Sequence, residues 1–180
     1  CEYEIKPITT KGDTDTRPLF TIEQKGIFEK EIDKAVAAKE IDFAVHSLKD
    51  VPSELADNLI IASIPKREKV NDVFISSDDS SLDKIKPGSV IGTSSLRRAV
   101  QISRQRSDVT VKPIRGNIET RINKTSGENY DAIVLAQAGI SRLGVDVNFT
   151  PLSVDDFSPS PGQGAIAIVA RTDDVQTIDM

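Results

Sequence analysis

Residues 89–106 are SVIGTSSLRRAVQISRQR. The apolar pair Val90-Ile91 predicts a short strand, and residues 92–95 form a turn of small and hydroxyl-bearing side chains. Either Ser94 or Ser95 can cap the helix that we predict up to about Arg106. A strand followed at once by a helix is the repeating unit of an α/β protein, so this stretch indicates the fold class.

The same alternation of strand and helix signals continues along the chain in both directions. Alternating or short apolar runs predict strands, at residues 2–8, 42–46, 59–64, 72–76, 90–91, 109–111, 132–135 and 165–170. Helical spacing and capping residues predict helices, at residues 26–39, 94–106, 117–124, 136–143 and from about 173. We therefore predict an α/β protein with mainly parallel sheets and flanking helices, in which residues 42–46 form a buried parallel strand.

Two stretches interrupt this series. Residues 66–71, KREKVN, are hydrophilic, and residues 157–164, FSPSPGQG, are rich in proline and glycine. We interpret residues 66–71 as the linker between two domains and place the return connection near residues 159–162. This predicts a discontinuous domain 1, made of residues 1–65 and 164–180, and a domain 2 of residues 71–160.

The composition is typical of a soluble globular protein, with 180 residues, 38% hydrophobic, 28% charged and a net charge of −5. No run of about 18 apolar residues is present, so we expect no membrane-spanning helix. The single cysteine, Cys1, cannot form an internal disulfide or a zinc cluster, and we expect no metal site. The first residues carry no secretory signal, which indicates a cytoplasmic protein unless a targeting segment has been removed.

The net charge hides an asymmetry. Residues 94–145 contain nine basic and four acidic side chains, a net charge of +5, while the rest of the chain carries −10. Seven of the nine are arginines, whose guanidinium groups pair bidentately with carboxylates and phosphates. Of these, we expect Arg104 and Arg106 to face solvent. Because aromatic residues make up only 4%, we favour a small ligand with several carboxylates or phosphates over nucleic acid.

Polar clusters follow three predicted strands, at the ends where α/β proteins bind ligands. In residues 46–50, HSLKD, Asp50 beside Lys49 can stay ionised and act as an acid, a base or a stabiliser of a cation. A solvated surface ion pair is the alternative. His46, the only histidine, ends an apolar strand, which favours a buried structural role over catalysis.

The other two clusters predict anion sites. Residues 92–98, GTSSLRR, place hydroxyl groups, backbone N–H groups and two arginines at a helix start. The positive charges of the two arginines are unfavourable near the positive end of the helix dipole, and an anion bound between the arginines and the helix start would offset this repulsion. Residues 115–117, RGN, together with Arg121 repeat this arrangement, and Arg142 closes a further strand–helix unit.

Together these loops resemble those of the hydroxymethylbilane synthase (porphobilinogen deaminase) family of tetrapyrrole biosynthesis. The matching motifs occur in the family's order and are KGIFEKEID at 25–33, HSLKDVP at 46–52, GTSSLRR at 92–98, RGNIETR at 115–121, LAQAGISRLG at 135–144 and PGQGA at 161–165. The resemblance implies two domains like the halves of a type II periplasmic binding protein. It also implies a third domain that anchors a dipyrromethane cofactor through a cysteine.

The resemblance implies roles for individual residues. Asp50 would be the catalytic carboxylate, which bonds pyrrole N–H groups, assists the loss of ammonia from porphobilinogen and stabilises the cationic azafulvene intermediate. The residues that would bind the acetate and propionate groups of the cofactor are Lys49, Thr93, Ser95, Arg97, Arg98 and Arg115. The residues that would bind the substrate are Lys25, Phe28, Ser47, Arg121, Arg142 and Gln163.

The implied activity is that of a transferase of haem and porphyrin biosynthesis that joins porphobilinogen into hydroxymethylbilane, as a cytoplasmic monomer without nucleic-acid or membrane partners. The family's first strand and helix would precede Cys1, and its third domain would follow Met180. We therefore expect this chain to carry no covalent cofactor and to be inactive by itself. A non-catalytic module that binds a small polyanion is the main alternative, and nucleic-acid binding through residues 97–124 is a third.

Overall fold

The computed structural model of the protein describes residues 2–10, 29–127 and 129–180. The described helices are α1 (Lys30–Ala37), α2 (Leu96–Gln105), α3 (Ile118–Asn123), α4 (Gln137–Leu143) and α5 (Val175–Ile178). The described strands are β1 (Phe43–Ser47), β2 (Leu59–Ser63), β3 (Asp72–Ser76), β4 (Val90–Gly92), β5 (Thr110–Lys112), β6 (Ala132–Ala136), β7 (Thr150–Pro151) and β8 (Ile166–Arg171). The chain divides into two compact units, whose described residues are 2–10, 29–67 and 165–180 for unit 1, and 68–127 and 129–164 for unit 2.

Unit 1 is built on a three-stranded sheet in the order β1-β8-β2. Both outer strands pair antiparallel with β8, and Ala44 and Val169 of this sheet pack with Val36 of α1, which is completely buried. Arg171, at the end of β8, is also buried and donates from Nη1 to Val36 O and Ile41 O, both at 2.8 Å. A cation at the last carbonyl groups of a helix complements the helix dipole, so Arg171 fixes the end of α1 to the sheet.

Unit 2 contains a five-stranded sheet in the order β5-β4-β6-β3-β7. β4 pairs parallel with β5 and β6, whereas β3 pairs antiparallel with β6 and β7. Alternate residues of β3 enter two separate apolar clusters: Phe74 packs in one with Ile102 of α2, and Val73 packs in the other with Ile140 of α4. The sheet is therefore buried on both faces, as the strand–helix alternation requires.

The predicted α/β fold class is confirmed, and in each sheet all described strands but one run in the same direction. The exceptions are β3 and β8, the first strands after the predicted linker and the predicted return connection. From residue 42 onward, every predicted helix and strand is present within two residues of its predicted bounds. No helix among the described residues is long and apolar enough to cross a membrane.

Other details differ from the prediction. Residues 2–8 form no strand: no described strand pairs with them, and Tyr3 and Ile5 are 80% and 78% exposed. β1 is not the buried parallel strand that was predicted, because it pairs antiparallel with β8 and exposes Val45. β7 was not predicted, since two residues have no detectable period, and its Pro151 is tolerated only because β7 lies at the sheet edge. Residues 26–28 of the first predicted helix lie outside the described residues.

The turn before β8 depends on Gly164, which has φ +85° and whose added Cβ would lie 2.6 Å from Glu68 O. Gly88 has a similar φ of +81°, but nothing lies within 4 Å of its added Cβ. In both alanine variants the positive φ should cost about 1–2 kcal/mol, because a residue with a Cβ is strained in this conformation. In Gly164→Ala the new Cβ also collides with the backbone oxygen of Glu68. Urea denaturation should show a clearly larger loss of unfolding free energy for Gly164→Ala than for Gly88→Ala. Equal losses would contradict this close approach.

Candidate functional site

The first candidate cluster lies in unit 1, at the end of β1. Leu48 N donates to Ala165 O at 3.0 Å and Asp50 N donates to Ser47 O at 2.9 Å, so the chain forms a hydrogen-bonded turn. Ser47, Lys49 and Asp50 are exposed on this turn. A fixed backbone therefore presents a carboxylate and an ammonium group at this end of the sheet.

His46 lies on the buried side of the same segment. It is 8% exposed, and its Nε2 lies 3.0 Å from Oδ1 of Asp33 in α1. Both side chains of the pair are largely buried, so the contact ties the end of β1 to α1. This environment favours the structural role of His46 over a catalytic one.

The second cluster surrounds the first turn of α2 in unit 2. Ser95 is the N-cap, and its Oγ accepts from Arg98 N at 3.4 Å. Thr93 is buried, and its Oγ1 accepts from Ser95 N at 3.2 Å. Ser94 Oγ donates to Ile114 O at 2.6 Å and accepts from Ile114 N at 3.1 Å. These hydroxyl groups shape the loop, and Ser94, which was not predicted as a site residue, joins the segments that follow β4 and β5.

Arg97 and Arg98 both bind the carboxylate of Asp72, the first residue of β3. Asp72 is completely buried; its Oδ2 accepts from Arg97 Nη2 at 2.7 Å, and its Oδ1 accepts from Arg98 Nη2 at 2.6 Å and Nε at 3.1 Å. Arg98 is also buried and donates to Val134 O at 3.1 Å. We expected an external anion to resolve the conflict between these cations and the helix dipole, but an internal carboxylate already does so.

Gln163 belongs to the same group of contacts. It is 1% exposed, and its Nε2 donates to Val70 O at 2.7 Å and to Asp72 Oδ1 at 3.0 Å. Sequence reasoning missed Asp72 because it searched the ends of strands. β3 is the reversed strand, and its first residue lies opposite Ala136, at the end of β6. The signal that the sequence offers is an acidic residue at the first position of an otherwise apolar strand.

The third cluster lies at the start of α3. Asn117 caps the helix as predicted, with its Oδ1 accepting from Thr120 N at 2.8 Å. Arg121 Nε donates to Gly116 O at 2.6 Å. Gly116 has φ +117°, and an added Cβ would lie 2.6 Å from Thr120, so the loop needs glycine at this position.

Positive charge accumulates around Arg121. Burial lowers the pKa of its guanidinium, and the nearby charges of Arg98 and Arg115 lower this pKa further. Both effects disfavour the charged form of Arg121, and a bound carboxylate or phosphate would offset them. The electrostatics of this cluster therefore suit an anionic ligand.

Arg104 and Arg106 have different surroundings, although both were expected to face solvent. Arg104 is exposed, as expected. The expectation for Arg106 is wrong, because its guanidinium donates to Leu82 O and Ile85 O, each at 2.7 Å, and pairs with Asp108. Arg106 therefore holds a loop of unit 2 in place.

The remaining predicted residues are distributed as follows. Arg142 donates from Nη2 to Gly164 O at 2.7 Å. Lys25 and Phe28 lie outside the described residues. In the described part of the chain, no group of three or more His, Cys, Asp or Glu side chains could hold a metal ion. The structure thus brings together two groups of predicted residues: Thr93, Ser95, Arg97, Arg98, Arg115, Arg121 and Gln163 in unit 2, and Ser47, Lys49 and Asp50 in unit 1.

A family model described as "Porphobilinogen deaminase, dipyromethane cofactor binding domain" matches residues 1–179. The chain belongs to the porphobilinogen deaminase family. It is 84% identical over 179 residues to the "Probable porphobilinogen deaminase" of Nitrosopumilus maritimus, and 50% identical over 185 residues to the porphobilinogen deaminase of Listeria innocua. Each alignment covers 99% of this chain, but only 58% and 60% of the two deaminases. The chain therefore spans less than two thirds of the length of these relatives.

Solved structures resemble this chain at low sequence identity. An ancestral cationic amino acid solute binding protein is 10% identical with a TM-score of 0.49, over 82% of this chain and 65% of the other. An arginine periplasmic binding protein from Legionella pneumophila is 19% identical with a TM-score of 0.45, over 85% and 68%. Similarity at this level concerns the fold alone.

The buried carboxylate of Asp72 should be essential for the stability of unit 2. Asp72→Ala leaves Arg98 buried without its counter-ion, and removing one partner of a buried ion pair costs about 3–5 kcal/mol. Asp108→Ala is the control, since the Asp108 side chain is 42% exposed and Arg106 keeps its two carbonyl partners. Urea denaturation should show a large loss of unfolding free energy for Asp72→Ala and a small one for Asp108→Ala. Similar losses would contradict the role of Asp72 as a buried counter-ion.

Proposed function

We propose that this chain is the catalytic part of a hydroxymethylbilane synthase (porphobilinogen deaminase), which joins porphobilinogen head to tail into hydroxymethylbilane and releases ammonia, in haem and porphyrin biosynthesis. The observation that carries the proposal is the set of accessible arginines around the starts of α2 and α3: Arg97 has 26% of its side chain exposed, and Arg115 and Arg121 are only partly buried. Every porphobilinogen unit brings one acetate and one propionate group, so a growing pyrrole chain needs many cations to hold it. The names of the family and of its members support a transferase of this kind.

Asp50 is the proposed catalytic carboxylate. Its exposed position on a hydrogen-bonded turn, next to Lys49, allows the side chain to reach a ligand. An ionised carboxylate accepts hydrogen bonds from pyrrole N–H groups and stabilises the positive charge that develops as the aminomethyl C–N bond breaks and ammonia leaves. The new C–C bond forms at the unsubstituted α-carbon of another pyrrole, and that carbon then loses its proton.

Dipyrromethane is the proposed cofactor, and the donor groups of unit 2 fit its carboxylates. The guanidinium group of Arg121 is partly buried and lies near the charges of Arg98 and Arg115, and a bound anion would offset both effects. When bound, dipyrromethane supplies the pyrrole to which substrate units are joined. The residues proposed to hold it are Lys49, Thr93, Ser95, Arg97, Arg98 and Arg115. Those proposed for the substrate are Lys25, Phe28, Ser47, Arg121, Arg142 and Gln163.

The proposal extends to the organisation of the whole protein. Units 1 and 2 would be its first two domains, with the predicted boundaries at residues 65–71 and 160–164. The covalent anchor of the cofactor would be a cysteine in a third domain, so that this chain alone is inactive. The protein would work in the cytoplasm as a monomer.

Asp50→Ala tests the assigned chemistry in a full-length protein that carries this chain. The substitution should lower kcat for porphobilinogen by about 10²–10⁴-fold, the usual contribution of a positioned acid–base group. Asp57→Ala, which removes another exposed acid of unit 1, is the matched control and should keep full turnover. Formation of hydroxymethylbilane gives the rate, and far-UV circular dichroism checks the fold. Full turnover by a folded Asp50→Ala variant would remove Asp50 from the mechanism.

A further inference from the structure

We propose that Asp72 is a positioning residue of the porphobilinogen reaction, which holds Arg97 in the orientation in which Arg97 binds a carboxylate of the pyrrole chain. The inference rests on the proposed function for the identity of that anion. Asp72 lies outside all the motifs on which the family resemblance was based, and its contribution follows from contacts within unit 2.

The first argument is the direction of the two arginine side chains. Arg97 and Arg98 are successive residues of α2, and successive side chains of a helix point about 100° apart. Their guanidinium groups nevertheless meet at one carboxylate, with Arg97 Nη2 2.7 Å from Asp72 Oδ2 and Arg98 Nη2 2.6 Å from Asp72 Oδ1. Arg97 Nη1 also donates to Ser158 O. These two contacts fix a long side chain that would otherwise sample many rotamers.

The second argument is that the Asp72 carboxylate is buried and already accepts four hydrogen bonds from the protein, three at Oδ1 and one at Oδ2. An ionised carboxylate offers about four acceptor positions. Arg97 donates one hydrogen bond to it, Arg98 donates two, and Gln163 donates one. The side chain is also completely buried. Asp72 therefore acts through Arg97 and does not touch the pyrrole chain itself.

The third argument is the unequal exposure of the two arginines. Arg98 has 9% of its side chain exposed and directs Nε, Nη1 and Nη2 to protein acceptors, so little of its guanidinium is open to a ligand. Arg97 has 26% of its side chain exposed. One carboxylate between two guanidinium groups leaves one positive charge, and Arg97 is the partner through which that charge can meet an external anion.

A double-mutant cycle in a full-length protein that carries this chain tests the coupling. Asp72→Asn keeps the side-chain shape, and Arg97→Gln removes the guanidinium. Asp72→Asn should lower kcat about tenfold or more in the parent, with KM for porphobilinogen within about threefold, because Arg97 is assigned to the cofactor end of the pyrrole chain. It should change kcat less than about twofold in the Arg97→Gln background. The same fold-change in both backgrounds would indicate a merely structural role and overturn the proposal.

Two further variants keep this cycle interpretable. Asp108→Asn removes a carboxylate from a different arginine and should leave kcat and KM unchanged. If Asp72→Asn does not fold, the cycle is repeated with Asp72→Glu, which keeps a counter-charge for Arg98 but moves the carboxylate by one methylene. There, too, dependence of the Asp72→Glu effect on Arg97 supports the proposal, and independence overturns it.

A measurement that does not require turnover separates this inference from the proposed function. In protein labelled with ¹⁵N-arginine, rotation of the Arg97 guanidinium about Nε–Cζ should be slow in the parent and fast in Asp72→Asn. Slow rotation in a folded Asp72→Asn variant would overturn the positioning role even in an active enzyme. If rotation of the Arg97 guanidinium becomes fast in Asp72→Asn but the parent protein does not turn over porphobilinogen, the positioning role stands and the proposed reaction is overturned.

Discussion

The ion pair between Asp72 and the two arginines of α2 is the interaction on which unit 2 depends. A carboxylate that is fully removed from water is costly unless charged or polar donors occupy its oxygens. Arg97, Arg98 and Gln163 supply them, and they come from α2 and from the turn before β8. The start of β3 can therefore be buried only when these other segments are in place. The arginines that stabilise Asp72 are the same side chains that make this edge of the sheet cationic.

Both units use their reversed strand in the same way. In unit 2, β3 runs against its neighbours, so its first residue lies beside the end of β6 and holds the start of α2. In unit 1, β8 runs against β1, and Ser47 pairs with Ile166. Ala165, just before β8, then accepts from Leu48 and fixes the turn that carries Asp50. In each unit the chain that enters the reversed strand supports the loop with the proposed functional side chains.

Much of this fold could be predicted because its signals are local. Ser95 and Asn117 cap helices as their positions indicate, and Gly144 ends α4 in the left-handed conformation. The strand at Asp72 was predicted with its observed bounds from five residues of sequence. Local signals of this kind depend on neighbours within one turn or one strand, which a single sequence shows directly.

The contacts that could not be predicted are those between distant residues. Arg97 and Asp72 are 25 positions apart, and nothing in either segment identifies the other as its partner. Arg106 looked like a solvent-facing cation because its partners at Leu82 and Ile85 are backbone carbonyl groups, which every residue possesses. Residues 2–8 alternate polar and apolar side chains as a strand does, but no described strand pairs with them. A strand also needs a neighbour that completes its backbone hydrogen bonds, and the sequence does not show whether one is present.

The central claim is that these charged groups serve deamination of a polycarboxylate pyrrole. The most direct test supplies porphobilinogen to a full-length protein that carries this chain and measures ammonia release against porphobilinogen consumption. The account predicts that one ammonia appears for each porphobilinogen consumed, together with hydroxymethylbilane. Tight binding of porphobilinogen with no release of ammonia would contradict it and would identify a binding module.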